Sequence, residues 1–132
     1  MTHPSVHVCA LVVRGEEFLM HRRGAYWALP EGAVNLYETL AEAVVRVLAE
    51  QVGMAEAICG PFIGWSETID APAHGPHVVR MYFHAILLDQ QTEPDSAATE
   101  VRWIPSWDAA ELGLTDGLAE FLSDHGLIET MV

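Results

Sequence analysis

Hydrophobic positions run almost without a break through VHVCALVVR, residues 6 to 14, and this β-branched run reads as a buried strand. Polar RGEE at 14 to 17 predicts a turn into a second strand, FLMHRR. Residues Leu29 to Tyr37 contain Pro30 and Gly32 and predict a loop. The period then changes. Leu40, Ala43, Val44, Val47 and Leu48 recur at steps of three and four, which predicts a helix from about Glu38 to Val52, ended by Gly53. Two long strand patterns follow, ICGPFIGWSETI and HVVRMYFHAILL, joined by DAPAHGPH. VRWIP predicts a short strand. SWDAAELGL predicts a short helix capped by Ser106, and TDGLAEFLSDHG a longer one capped by Thr115 and ended by Gly126.

This order predicts a mixed sheet flanked by helices, in the α/β or α+β class, as one domain over residues 1–132. It does not fit a Rossmann unit. No glycine-rich turn joins the first strand to a helix, and strands do not alternate with helices.

Composition narrows the function classes. A formal net charge of −13, from six basic and 19 acidic residues, argues against binding a nucleic acid polymer. All six basic residues are arginine, so an anionic substrate would need arginines or divalent cations to offset repulsion. Arg22, Arg23 and Arg80, with Trp27, are the candidate substrate-binding side chains. No apolar run approaches the ~20 residues of a membrane helix, and no basic segment precedes the apolar N-terminal run as in a signal peptide. The expectation is a cytoplasmic protein with no membrane association, in which Cys9 and Cys59 are reduced, apolar side chains.

The predicted helix carries the candidate chemistry. Residues 47, 50 and 51 are spaced i, i+3, i+4 and share one face. Three carboxylates there would hold a hard divalent cation, which prefers oxygen ligands. The chain has Val47, Glu50 and Gln51: one carboxylate, one neutral amide and one apolar group.

The stretch from Gly32 to Met54 resembles the signature of the Nudix hydrolase family, Gx5Ex7REUxEExGU, with U a bulky aliphatic residue. Gly32, Glu38, Arg46, Leu48, Glu50, Gly53 and Met54 fall in register. YWALPEG is similar to the tryptophan and Leu-Pro-Gly-Gly segment before that signature, and EVRWIPSWDAAEL to the later Glu-x-x-Trp segment. The resemblance spans roughly the whole chain and implies a Nudix-type α/β/α sandwich with a mixed central sheet. It also implies a pocket for a nucleotide or other small phosphorylated molecule, Mg²⁺ or Mn²⁺ as cofactor if the chain is active, and a homodimer. In the family the signature glutamates hold the metal against a diphosphate, helped by a turn carbonyl, and the metal activates water.

Two departures qualify that implication. Val47 and Gln51 stand where the family has glutamates. By resemblance, Gly32 through its carbonyl, Glu50 and Gln51 are metal-site candidates, and Glu50 and Glu100 the catalytic ones; Glu31 joins the metal-site candidates as a carboxylate beside Gly32 that the signature lacks. A site rebuilt from Glu31, Glu50 and Glu100 competes with the plainer reading of Glu31 as a solvated loop residue and Glu100 as a strand-end acid. Glu38 and Arg46 are implied to brace the loop against the helix; locally, Arg46 could instead pair with Glu42 or Glu50 four residues away.

The remaining candidates are less specific. His74 and His77 bracket a Gly-Pro pair in a loop, free for a ligand, a metal or nothing. His21 and His84 lie in strand patterns, facing solvent or making a core hydrogen bond. Trp27, Trp65, Tyr82 and Trp103 either line a base-stacking pocket or pack in the core. Two functions follow from the resemblance. One is a divergent hydrolase of a diphosphate-containing small molecule, with weakened metal-dependent catalysis. The other is a catalytically inactive nucleotide-binding or regulatory protein that keeps the fold.

Overall fold

The computed structural model describes residues 4–69, 77–89, 93–94, 100–109, 111–115 and 117–128. The first strand, β1 (Ser5–Arg14), is the organising element. Its residues Val8 to Val12 are all buried, because it is covered on both faces. Alternation sends Val8, Ala10 and Val12 into one core and Cys9 and Leu11 into the other. β2 (Glu17–Arg23) follows after a turn at Gly15, as the sequence predicts.

The segment from Leu29 to Tyr37 is not all loop. Just before it a three-residue strand, β3 (Tyr26–Ala28), pairs with β2, and within it β4 (Glu31–Ala33) pairs antiparallel with β1. The partners His7↔Ala33, Val8↔Gly32 and Cys9↔Glu31 give β4 its ladder, and flanking bonds from Ala10 N–H to Pro30 C=O and from Val34 N–H to Val6 C=O extend it. So short a strand has no periodicity of its own; its partner defines it.

Helix α1 runs Leu40–Val52, two residues later than expected at its start, because Thr39 forms a capping box with Glu42. Thr39 Oγ1 accepts from Glu42 N–H at 3.1 Å, and Glu42 Oε1 accepts from Thr39 N–H at 2.9 Å. Thr39→Ala should lower stability by about 1 kcal/mol, read as a shift in the urea midpoint; an unchanged midpoint would mean the cap is not formed in solution. Gly53 ends the helix at φ 70°, a left-handed conformation that favours glycine. Ala43, Val44, Val47 and Leu48 form the buried stripe against Val8, Ala10 and Val12.

β5 (Ala57–Ile69), β6 (His77–Leu87) and β7 (Val101–Pro105) match the predicted strands. The sheet order is β3-β2-β1-β6-β5, with β4 added on β1 and β7 on β2. Among the strands of the described residues, β1 and β6 are the pair that run parallel, from Ser5↔Val78 to Val12↔Ala85, so the sheet is mixed. The face opposite α1 is covered by α2 (Ser106–Ala109) and α3 (Leu118–Asp124), through Ala109, Leu118, Phe121 and Leu122. Helices thus lie on both faces of a mixed sheet.

The predicted caps of these last helices differ from what forms. Ser106 is itself the first helical residue, with its N–H bonded to Glu16 C=O. Thr115 is not a cap. Its N–H is bonded to Trp27 C=O beside a bridge between Leu114 and Trp27, and the cap position of α3 falls two residues later, on Gly117, which has no side chain to cap with. The turn after α3 includes Gly126 at φ 68°.

Candidate functional site

The loop between β4 and α1 is braced by one arginine. Arg46 grips Glu38 with two bonds, Nε to Oε2 at 2.7 Å and Nη2 to Oε1 at 2.9 Å. The same side chain reaches Ala33 C=O through Nη2 and Glu50 Oε1 through Nη1, each at 2.7 Å. A planar fork of five donors suits this fan of acceptors. The hydrogen bonds from Arg46 and from Asn35 N–H hold the Glu38 carboxyl below its usual range. Both pairings weighed from the sequence, Arg46 with Glu38 and Arg46 with Glu50, therefore coexist. Glu42 is instead taken up by the capping box.

On the inner side of α1 the helix presses against β4. Val47 is fully buried, and a Cβ built on Gly32 would lie 2.9 Å from its Cγ2, so only glycine permits this approach. One turn on, the Gln51 side chain pairs with the backbone of Glu31. Gln51 Oε1 accepts from Glu31 N–H at 3.0 Å, and Gln51 Nε2 donates to Glu31 C=O. The amide is engaged at both ends.

These residues do not fit a divalent cation of the family type. Val47 offers no ligand atom, Gln51 turns its Nε2 to the Glu31 carbonyl, and Glu50 Oε1 is in an ion pair. The structure does not assemble the alternative set. Among the described residues no three His, Cys, Asp or Glu side chains converge as a metal site. Glu31 is turned to His7 and Arg80, and Glu100 pairs with Arg22 at 3.6 Å and with Arg102. Glu31, Glu50 and Glu100 are each held by different partners.

Glu31 forms the centre of a different arrangement, on the sheet face opposite α1. Arg80 Nε donates to its Oε1 at 3.0 Å and Oε2 at 2.9 Å, and His7 Nδ1 lies 2.6 Å from Oε2. Burial alone would push the Glu31 carboxyl up. The hydrogen bond with His7 and the charge and bonds of Arg80 outweigh it and hold Glu31 below its usual value. Arg80 Nη1 also donates to Thr68 Oγ1 at 2.8 Å, and the Tyr82 hydroxyl lies 3.1 Å from Ser66 Oγ. Burial pushes the Tyr82 phenol up to about 12, so it stays neutral at ordinary pH.

This cluster floors a cavity of about 190 Å³, lined also by Cys9, Arg23, Leu29, Thr115 and Leu118. Burial pushes the Cys9 thiol up, so it is a neutral wall rather than a nucleophile. Arg23 has no ion pair among the described residues, and Arg80 presents the second guanidinium. Behind the wall Tyr82 stacks on Phe121, with centroids 3.7 Å apart, and Phe121 on His125 at 4.1 Å, fixing α3 against the sheet.

The other sequence candidates scatter. Trp27 packs in the core with Arg102 above it, Trp103 is half-buried beneath Arg14, and Trp65 stands exposed on β5. Arg22 is an exposed partner of Glu100. His21 is buried, and burial lowers its pKa. His77 pairs with Glu67 at 2.5 Å, and His74 lies outside the described residues. His7 and Thr68 were missed. Alternation along β1 signals that His7 and Cys9 share a face, but their encounter with Arg80 depends on the β1–β6 register.

A NUDIX domain model matches residues 1–125. The MutT protein of Methanosarcina mazei shares the fold with a TM-score of 0.79 at 22% identity, over 96% of this chain and 96% of that one. The MutT NUDIX hydrolase of Burkholderia pseudomallei does so at 0.75 and 25%, over 92% and 98% of the two chains. The NUDIX domain of Shewanella oneidensis NrtR, solved in complex with ADP ribose, gives 0.69 and 19%, over 94% and 89%. No curated protein sequence matches the chain. Nudix hydrolases generally use divalent metals. The domain match over nearly the whole length decides the family: the chain belongs to the Nudix hydrolases.

Proposed function

We propose that this chain is a ligand-binding Nudix protein that holds one end of a nucleotide-like, diphosphate-linked small molecule and does not carry out metal-assisted cleavage at the helix face. The engagement of Val47 and Gln51 with β4 carries this reading, because it leaves Glu50 as the one carboxylate of the three helix positions. At about 190 Å³ the cavity is smaller than the ~300–1,000 Å³ of a typical whole-ligand site, so it suits one end of the molecule. Glu31 can accept from ring or amine N–H groups, while Arg23 and Arg80 can meet an anionic group. The ADP ribose held by the NrtR domain is a ligand of this chemistry on the same fold. A cytoplasmic homodimer is the assembly we propose, by analogy with the family.

The second reading is the divergent hydrolase, with Mg²⁺ or Mn²⁺ recruited to Glu50. It draws on the exposure of the Glu50 side chain, 57%, which leaves it able to exchange Arg46 for a cation. Calorimetry with ADP and ADP-ribose, in EDTA and then in Mg²⁺, tests both, together with chromatographic detection of cleavage. Binding in EDTA with no product in Mg²⁺ is expected. Product formation in Mg²⁺ that Glu50→Gln abolishes would establish the hydrolase instead, and no heat with any ligand would sink both readings.

A further inference from the structure

We infer that the Gln51 carboxamide does in this chain what a bound cation would otherwise have to do: it joins helix α1 to the β4 turn, so the loop–helix unit is ordered without metal. A peptide offers one donor and one acceptor, here Glu31 N–H and Glu31 C=O, side by side on the edge facing α1. A carboxylate is acceptor-only. Placed at position 51 it would satisfy the N–H but oppose the carbonyl, and the two oxygens would need a positive charge between them. A carboxamide is the complement of a peptide edge, with its own acceptor and donor, and needs nothing further. Its Nε2 donates directly to the carbonyl.

The neighbouring exchange is coherent with this. Val47 fills the space against Gly32 with methyl groups, and the Gly32 backbone comes as near as a missing Cβ allows. A glutamate there would be a second buried anion with no partner. Val47 and Gln51 together make an uncharged contact between helix and turn. This inference concerns the ligand-free protein and stands whether or not the proposed ligand binds.

The test is thermal unfolding of the ligand-free chain in EDTA and in millimolar Mn²⁺ or Mg²⁺, for the wild type and Gln51→Glu. The wild-type Tm should be the same in each buffer. Gln51→Glu should melt about 5 °C or more lower in EDTA and recover part of that loss, saturably, in Mn²⁺. A wild type that gains several degrees from Mn²⁺, or a Gln51→Glu protein as stable as the wild type in EDTA, would overturn the inference. Should Gln51→Glu fail to fold, hydrogen exchange of the wild type decides. The Glu31 amide should be protected in EDTA, and free exchange there would overturn the inference equally.

Discussion

Val47→Glu should destabilise the protein by about 3–5 kcal/mol, the range for leaving a charge buried without a partner. A typical domain has only about 5–15 kcal/mol to lose, so the variant should be close to unfolding at ambient temperature. Val47 has no exposure to speak of and abuts Gly32, so a longer side chain has neither room nor solvent. The introduced carboxyl would have its pKa raised by burial. A raised folded pKa means the variant is nearest to the wild type below the unfolded value of about 4.3 and falls away as pH rises through the folded one. Urea midpoints for both proteins at pH 5 and pH 8 would measure this. A midpoint at pH 8 equal to the wild type's would show that the contact between α1 and β4 opens readily. Combining Val47→Glu with Gln51→Glu should make stability respond to Mn²⁺, since only a shared cation then reconciles the two acids with the turn.

The second large effect is expected at Arg80. Arg80→Met should cost about 2–3 kcal/mol, because the Glu31 carboxylate is left in a partly buried site with the hydrogen bond to His7 but without its guanidinium. The pH dependence should change as well. In the wild type the Glu31 pKa is depressed, so its contribution is present above the unfolded carboxylate value of about 4.3 and lost as pH falls through the lower folded value. Without Arg80, the burial contribution is opposed only by His7, the carboxyl moves up, and the penalty appears as pH rises into the neutral range. Glu31→Gln added to Arg80→Met should restore much of the loss. If the double variant is no more stable than Arg80→Met alone, the pair does not carry the energy assigned to it. Affinity for ADP or ADP-ribose should fall at least tenfold in both variants.

The parts of the fold that the sequence disclosed are those with a period of their own. β1 is a continuous apolar run, and α1 has five buried positions at helical spacing between a threonine and a glycine. β3 and β4 have three residues each, too few for a pattern, and exist through their registers with β2 and β1. Thr115 has the residue type of a cap, but its backbone is tied to Trp27 by a tertiary hydrogen bond and the helix starts later, after Gly117. The framework of the site was legible because Glu38, Arg46 and Gly53 sit at fixed local offsets. The Glu31–Arg80 pair spans 49 positions and needs the crossing of β4, β1 and β6 to form. Gln51 was visible as a weak metal ligand, while its actual partner, a backbone edge 20 positions away, was not.

The carboxamide bond to Glu31 also constrains how such a chain can change. Exchange of Gln51 alone for glutamate removes a donor before any ligand set exists, and exchange of Val47 alone buries an acid with no counter-charge. Each single step towards a three-carboxylate face is deleterious on its own, and the gain comes only when both acids and a cation are present together. The two positions are therefore expected to behave epistatically. A library that varies them jointly, with Mn²⁺ in the medium, is the route by which a metal-binding descendant of this chain would be found.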